Sequence, residues 1–439
     1  MKNLTSTLLF GLILTACGPT QEPTSWQSEP LQPATPSSQG FSEVKIQKID
    51  ELFQSNIEQG NIAGATALVA RRGKIVYYET TGYNDLENKI PLEKDAIFRI
   101  ASQTKGITSV AIMRLYEEGK LDLQDPVSKH LTEFNYPELI DQFKEKDSSY
   151  ISRPAKREVT IQDLLTHTSG YAYPGNGGDD GNAVYAKARI MNGVPTKSST
   201  LKDEMQKISK LPLIHEPGKK FTYGLSTDIL GYLVEVLSGK NLEEYFRSEI
   251  FDPLGMEDTY FHLPEDKHAR LMNLYLGRPG NEGLTIASPA MVDYPKNTKM
   301  YYSGGGGLSS TTMDYAIFIQ MLLNQGEYNG VRLLKPKTIQ MMRANHIGEL
   351  GAGSLFLPAT TDKFGLGFEV IFPSEADSML ISAGSFGWGG AFGSLYWIDP
   401  KEELIAHLVI QKAGDYAQLR YDFINTVYRA LNSESAETR

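Results

Sequence analysis

Three serine–lysine pairs occur at the spacing Ser-x-x-Lys: Ser42 with Lys45, Ser102 with Lys105, and Ser199 with Lys202. On an α-helix, residues three apart share a face with Cβ atoms roughly 5–6 Å apart, so a lysine amine can reach a serine hydroxyl one turn upstream. Covalent acyl chemistry uses such a pair, because a serine hydroxyl is a weak nucleophile until a neighbouring group helps remove its proton. Chance alone supplies about one or two such spacings in a chain this long, so context must separate them. Ser42 precedes an amphipathic surface helix, and Ser199 lies in a polar, loop-rich stretch. Only Ser102 leads into Ile107, Val110, Ala111, Ile112, Met113 and Leu115, apolar nearly all round, with Gly119 as a stop. That pattern belongs to a helix buried inside a domain. The competing reading of Ser102 is an ordinary helix N-cap.

The attacking serine needs a base, and the oxyanion it creates needs donors. Of the seven histidines, His167 and His215 are best placed, each just before a glycine-marked turn. Either could equally hold backbone, and the Gly-x-Ser-x-Gly elbow of an α/β-hydrolase is missing. Tyr223, in Phe221-Thr-Tyr223-Gly-Leu225, stands just before an amphipathic helix spanning Ile229 to Ser238. A cation beside a phenol favours its ionised form, so a lysine could turn this tyrosine into a base. The run Ser385-Phe-Gly-Trp388-Gly389-Gly390-Ala391-Phe-Gly393 precedes the last hairpin. Glycine density of this kind lets another backbone or a ligand approach closely and offers N–H groups to an oxyanion. Taken singly, Tyr223 reads as a packing tyrosine and Trp388 as a strand-edge aromatic. Ser303 followed by Gly304 to Gly307 lacks the Gly-Lys-Ser/Thr of a phosphate loop and reads as a tight turn or a backbone lining a cleft.

In this order the elements resemble the serine β-lactamase superfamily, which includes penicillin-binding proteins, class C β-lactamases and related esterases. The resemblance covers nearly all of 41–432. It rests on Phe98-Arg-Ile-Ala-Ser102-x-x-Lys105, Thr160-Ile-Gln-Asp-Leu-Leu-Thr-His-Thr-Ser-Gly170, Pro217-Gly218 before Phe221-x-Tyr223, Gly304 to Leu308 with Ser310-Thr311-x-x-Asp314-Tyr315, and Gly387-Trp388-Gly389-Gly390. The resemblance implies Ser102 as acylated nucleophile, Lys105 as the group easing its deprotonation, and Tyr223 as proton shuttle. Trp388-Gly389-Gly390 stands where lactamases keep Lys-Thr-Gly, and the N–H groups of Ser102 and Ala391 match the oxyanion hole. No metal or organic cofactor is implied.

Two departures narrow the chemistry. Leu225 occupies the asparagine position of the Tyr-x-Asn motif, and Trp388 replaces the cationic lysine of the third motif. Losing an amide and a cation makes the cleft less suited to an anionic β-lactam. Tyr-x-Leu with Trp-Gly-Gly is similar to the esterases of the superfamily, so the expectation is an acyl-enzyme esterase acting on small acyl esters. The alternatives are a β-lactam or D-amino-peptide hydrolase and, from another class, a non-catalytic envelope binding lipoprotein.

These residues need a scaffold. A chain of 439 residues with 41% hydrophobic and 22% charged content has globular composition, in one large two-lobed domain or two domains. The net charge of −10 argues against a nucleic-acid partner, and no obligate protein partner is evident. Ala65 to Ala70 and Lys74 to Thr80 around Arg-Arg-Gly, and Ser394 to Ile398 and Leu404 to Ile410 around Asp399-Pro-Lys-Glu402, read as hairpins. Ile46, Ile49, Phe53 and Ile57 mark a first helix, and Leu419, Phe423, Ile424, Val427 and Leu431 a closing one. The expected fold is α/β (α+β): an antiparallel sheet built from both chain ends with flanking helices, plus an inserted all-helical lobe at about 108–300. Residues 171–200 read as a long polar loop, a candidate lid; Asp179 and Asp180 lack the terminal glutamate of a calcium loop.

Cys17 is the single cysteine, so no intramolecular disulfide is available. Lys2, a short apolar core and Leu14-Thr-Ala-Cys17 describe a secretory signal over 1–16, too short to span a membrane. The last four residues resemble the bacterial lipoprotein box, which implies a lipidated Cys17, a membrane held through that lipid, and a cell-envelope location. Residues 17–40 then read as a flexible tether, 41–432 as the hydrolase domain and 433–439 as a tail.

Overall fold

Arg72 and Gly73 both lie at positive φ, 53° and 70°, the geometry that lets a two-residue turn match strand twist. The turn folds strand β2 (Gly64–Arg71) onto β3 (Lys74–Asp85). At the other end, Asp399 Oδ1 accepts from the N–H groups of Lys401 and Glu402 at 2.9 and 3.0 Å, closing the second hairpin. Both hairpins expected from sequence are therefore present, and they pair with each other.

The computed structural model describes residues 29–277, 283–353, 363–372 and 380–431. Residues 1–16, read above as a signal segment, Cys17 and residues 433–439 lie outside them. In chain order, β1 (Gln32–Pro33) and helix α1 (Lys48–Glu58) precede β2 and β3. Helix α2 (Thr104–Glu117), α3 (Ser226–Ser238) and α4 (Thr312–Leu323) belong to the middle of the chain. Then follow β4 (Lys363–Phe364), β5 (Glu369–Val370), β6 (Phe386–Gly389), β7 (Leu395–Asp399), β8 (Leu404–Ile410) and α5 (Ala417–Ala430). The main sheet runs β1-β3-β2-β8-β7-β6-β5-β4, with Ile90–Pro91 added on β3. Only β1 pairs in parallel; the other neighbours are antiparallel.

Side chains alternate across a strand, and here both faces are covered. Ala65, Ala67 and Val69 of β2, Leu395 and Trp397 of β7, and Leu404, Ala406 and Leu408 of β8 pack with Ile49 and Phe53 of α1 and Phe423, Ile424 and Val427 of α5. The alternate residues Leu68, Tyr396, Ile398 and Ile405 join the larger core that holds α2, α3 and α4. Helix α2 is buried along almost its whole length, as its all-round apolar pattern predicts.

The structure refines the sequence reading in three places. Residues 29–40 are part of the fold rather than tether: Gln32 and Pro33 align with Lys74 and Ile75, and the Leu31 N–H donates to Tyr328 Oη at 3.0 Å. The inserted lobe is helical but also carries a hairpin, Glu138–Lys144 with Ser149–Pro154; its charged, mostly exposed residues lack the apolar alternation that reveals a strand. The segment 171–200 is not a plain loop, because Gly178–Lys187 is helical. Its acidic pair, Asp179 and Asp180, occupies the first turn, where carboxylates favour the helix dipole.

Two buried histidines make this fold acid-sensitive. Burial holds His407 down to about 3 from its ordinary 6.5, and burial with the Lys105 cation holds His167 well below 6.5. Unfolded, both histidines take up protons below about 6.5 while the folded chain does not, so the stability they contribute is full above that pH and is lost as pH falls. Asp314 acts the other way: burial raises it from 3.8 to about 6, so the folded state takes up its proton first and gains stability on acidification. Burial also lowers His215 and His262, which adds to the loss, and raises Asp228, Glu235 and Glu243, which opposes it. The contribution of His407 alone is expected to fall by about 1.4 kcal/mol per unit between pH 6 and 4. Urea unfolding of wild type and His407→Asn across that range checks this: the slopes should differ by that amount, and equal slopes would contradict it.

Candidate active site

Ser102 sits in a short 3₁₀ turn, Ala101–Gln103, that runs directly into α2. The turn opens on Ala101 at φ 44°, the left-handed region that costs a residue with a Cβ and that clusters at functional sites. Ser102 caps nothing: Gln103 is the N-cap position of α2 and no side-chain cap bond is made there. The other two look-alike serines do local work. Ser42 accepts from the Lys45 N–H at 3.4 Å, and Ser199 donates to Glu204 at 2.6 Å. Below Ser102, the Gln103 carbonyl accepts from Tyr315 Oη at 2.9 Å, and its side chain meets His407 Nε2 at 3.2 Å.

Lys105 follows one turn later and is 2% exposed, so its charge must be compensated within the protein. Its Nζ donates to the Gly305 carbonyl at 2.6 Å and to Tyr173 Oη at 3.0 Å. It also lies 4.6 Å from the centre of the Tyr223 ring. Lysine and tyrosine, far apart in sequence, are thus in contact, with Ser102 on the adjoining turn.

Tyr223 is held by the residues that sequence offered as alternative bases. The His167 ring centre lies 4.9 Å from that of Tyr223, and His167 Nδ1 accepts from the Gly224 N–H at 3.4 Å. The Thr222 N–H donates to the His167 carbonyl at 2.8 Å, while His215 Nε2 meets Thr222 Oγ1 at 3.0 Å. Both histidines fix the backbone that carries Tyr223. Gly224 is required here, since a Cβ would stand 2.3 Å from the Tyr171 carbonyl oxygen. Leu225 is buried and opens α3.

The glycine run 304–307 lines the site rather than merely turning. A short ladder, Phe98–Arg99 against Ser309–Ser310, and the Ile100 N–H on the Leu308 carbonyl at 3.1 Å bring it beside the serine turn. Thr108 Oγ1 donates to the Gly304 carbonyl at 2.8 Å. Asp228 of α3 holds the loop from below, its Oδ1 accepting from Ser303 Oγ at 2.6 Å and the Gly305 N–H at 3.3 Å. Burial raises the Asp228 carboxyl above its ordinary range, while the Ser303 bond and the Lys105 cation pull it back. A Cβ on Gly305 would meet Asp228 Oδ2 at 2.5 Å and Tyr173 Oη at 2.8 Å, so loop, aspartate and tyrosine are mutually close.

Sequence reasoning missed Tyr173 and Asp228; it offered the Ser303–Gly307 run as a backbone lining a cleft but did not assign the Gly305 carbonyl to the lysine. One signal was present: Asp228 is an acidic residue in the first turn of an otherwise apolar helix. Tyr173 carried none, because it lies in the segment taken for a loop.

The glycine strand also falls beside Ser102. A Cβ on Gly390 would stand 2.5 Å from the Ile100 carbonyl oxygen, so the bare backbone passes against the chain two residues before the serine. Ala391 follows at an exposed turn and Gly389 pairs with Leu395 in the sheet. The Trp388 side chain is 1% exposed. Alternation along β6 turns it into the core with Phe386, where its ring centre lies 5.4 Å from Tyr223 and 5.2 Å from Phe364. It packs against the ring of the tyrosine.

A serine at a strained turn, a buried lysine one helical turn on and a tyrosine packed over that lysine define the plan of a serine hydrolase. A sequence profile of the Beta-lactamase family matches residues 49–429, and the chain belongs to that family. Similar proteins include lovastatin esterase of Penicillium rubens, 30% identical over 88% of this chain and 99% of its own. Esterase EstB of Burkholderia gladioli is 29% identical over 80% of this chain and 86% of its own. Among solved structures, EstCE1, a hydrolase with promiscuous acyltransferase activity, superposes with a TM-score of 0.73 at 26% identity, covering 88% of this chain and 99% of that one. The simvastatin synthase LovD of Aspergillus terreus, at 23% identity and TM-score 0.74, shares the fold. The chain is an enzyme, a serine hydrolase of the β-lactamase fold.

Proposed function

We propose that this hydrolase is a carboxylesterase that passes small acyl groups through an ester on Ser102, with Lys105 and Tyr223 moving the proton and the N–H groups of Ser102 and Ala391 facing the oxyanion. The observation that carries the reading is the contact of the buried Lys105 amine with the Tyr223 ring, one helical turn from Ser102. Preference for esters rests on Leu225 and Trp388, both buried and apolar where a lactamase has an amide and a cation. The esterases among its relatives support the same choice. Short-chain p-nitrophenyl esters are expected to turn over while nitrocefin does not. Rapid nitrocefin turnover would replace the ester reading with the β-lactam one.

The domain acts, in this reading, at the cell envelope, tethered through a lipid on Cys17. Support comes from Lys2, the apolar run and Leu14-Thr-Ala-Cys17. Palmitate incorporation that is lost in Cys17→Ser checks it; equal labelling of both chains would remove the anchor.

A further inference from the structure

The turn that carries Ala391 is gripped from below by the C-terminal helix. Arg420 of α5 is 4% exposed, and its Nη2 donates to the Gly390 carbonyl at 3.0 Å and the Ser394 carbonyl at 2.6 Å. Tyr416, at the start of the same helix, donates its one hydroxyl hydrogen to the Ala391 carbonyl at 3.1 Å, with the Gly390 carbonyl 3.4 Å from the same Oη. Its ring lies 4.2 Å from the Arg420 guanidinium carbon. The Gly393 N–H adds a further bond to the Gly390 oxygen at 3.1 Å. The Gly390 carbonyl therefore accepts from a cation and an amide, which fills its two lone pairs.

That carbonyl and the Ala391 N–H belong to the same peptide unit. A trans peptide is planar, so its C=O and N–H point in opposite directions from one rigid plate. Fixing the Gly390 oxygen towards α5 fixes the Ala391 N–H towards the opposite side, where Ile100 and the serine turn lie against Gly390. A positive charge bonded to the oxygen also draws electron density from the amide nitrogen, and hydrogen bonds in such a chain strengthen one another. No acceptor among the described residues takes up the Ala391 N–H.

We infer that Arg420, with Tyr416, is a positioning residue for catalysis, aiming and polarising the Ala391 N–H that stabilises the oxyanion on the Ser102 adduct. The inference rests on the proposed role of Ala391 in an acyl-enzyme cycle. The bland alternative is that Arg420 only staples a hairpin turn to a helix. The two differ in what they do to folded protein. A staple affects how much protein folds and when it melts, whereas an oxyanion device acts on the transition state and spares ground-state binding.

The test compares wild type, Arg420→Met, Arg420→Lys and Tyr416→Phe for p-nitrophenyl ester hydrolysis, per folded molecule by active-site titration. For Arg420→Met, kcat is expected to fall about 10–100-fold, less than loss of a whole oxyanion donor, with KM changed by under about threefold. Affinity for a tetrahedral boronate adduct should weaken in proportion to kcat. Arg420→Lys, which keeps the charge, should recover part of the loss. Tyr416→Phe, a milder change, should lose about threefold in kcat and serves if Arg420→Met folds poorly. Unchanged kcat in folded Arg420→Met, or in folded Tyr416→Phe should the former not fold, overturns the inference and leaves the esterase reading standing. A wild-type chain that turns over no ester and binds no boronate overturns both.

Discussion

Ser102→Ala is expected to keep less than about a thousandth of wild-type ester turnover, since removing a nucleophile that works with its base abolishes most of the catalysis the set provides. Folding should be nearly untouched. Ser102 makes no cap bond and lies half-buried in its turn, and substitutions at such places usually change stability by no more than about 0.5 kcal/mol. A fluorophosphonate should label wild type at Ser102 and leave Ser102→Ala unlabelled. Ser42→Ala makes the matched control, because it removes a serine with the same lysine spacing. Ser42 does cap a helix, weakly at 3.4 Å, so this variant should lose about 0.5 kcal/mol of stability and no activity. Retained turnover or labelling in Ser102→Ala would move the nucleophile elsewhere and sink the scheme.

How far the sequence reveals this site depends on the range over which each signal acts. Ser102 and Lys105 are legible because helix periodicity alone puts them on one face, and burial of α2 follows from Ile107 to Leu115 being apolar all round. The two hairpins are legible because turn chemistry is local: Arg72-Gly73 at one end, Asp399 with its carboxylate on Lys401 and Glu402 at the other. What holds the lysine is not local. The Gly305 carbonyl is a backbone atom 200 residues away, and backbone atoms leave no trace in residue type. Tyr173 comes from a segment rich in glycine and aspartate, whose helix at Gly178–Lys187 forms through acidic first-turn residues that composition alone reads as loop. Trp388 is legible only through its motif; strand alternation, which Phe386 already sets, turns the indole inward against Tyr223.

Lys105→Met and Tyr223→Phe are each expected to lower kcat/KM about 10²–10⁴-fold, the range supplied by a positioned proton-transfer group. The structure gives a reason for the two to act as one unit. Lys105 is fixed from three sides: by the Gly305 carbonyl, by Tyr173 Oη, and by the faces of the Tyr173 and Tyr223 rings at 5.2 and 4.6 Å. Replacing it by methionine preserves the packed stem but leaves the Gly305 carbonyl and Tyr173 without their donor. It also removes the cation that draws the Asp228 carboxyl down, so that carboxyl rises further and takes up a proton more readily. The charge in this pocket therefore reorganises along Asp228, Ser303 and the 304–307 loop, and Tyr223 loses the cation beside its ring. Tyr223→Phe keeps the ring against His167, Tyr173 and Trp388 and deletes only the oxygen. If the lysine works through the tyrosine, the double variant is slower than the worse single one by less than about threefold, because groups in a shared step are not additive. Pre-steady-state acylation with a chromogenic ester measures all three. Single variants that keep more than about a tenth of wild-type acylation, or a double variant that multiplies both losses, would separate the lysine from the tyrosine and leave the proton path to be sought through Tyr173.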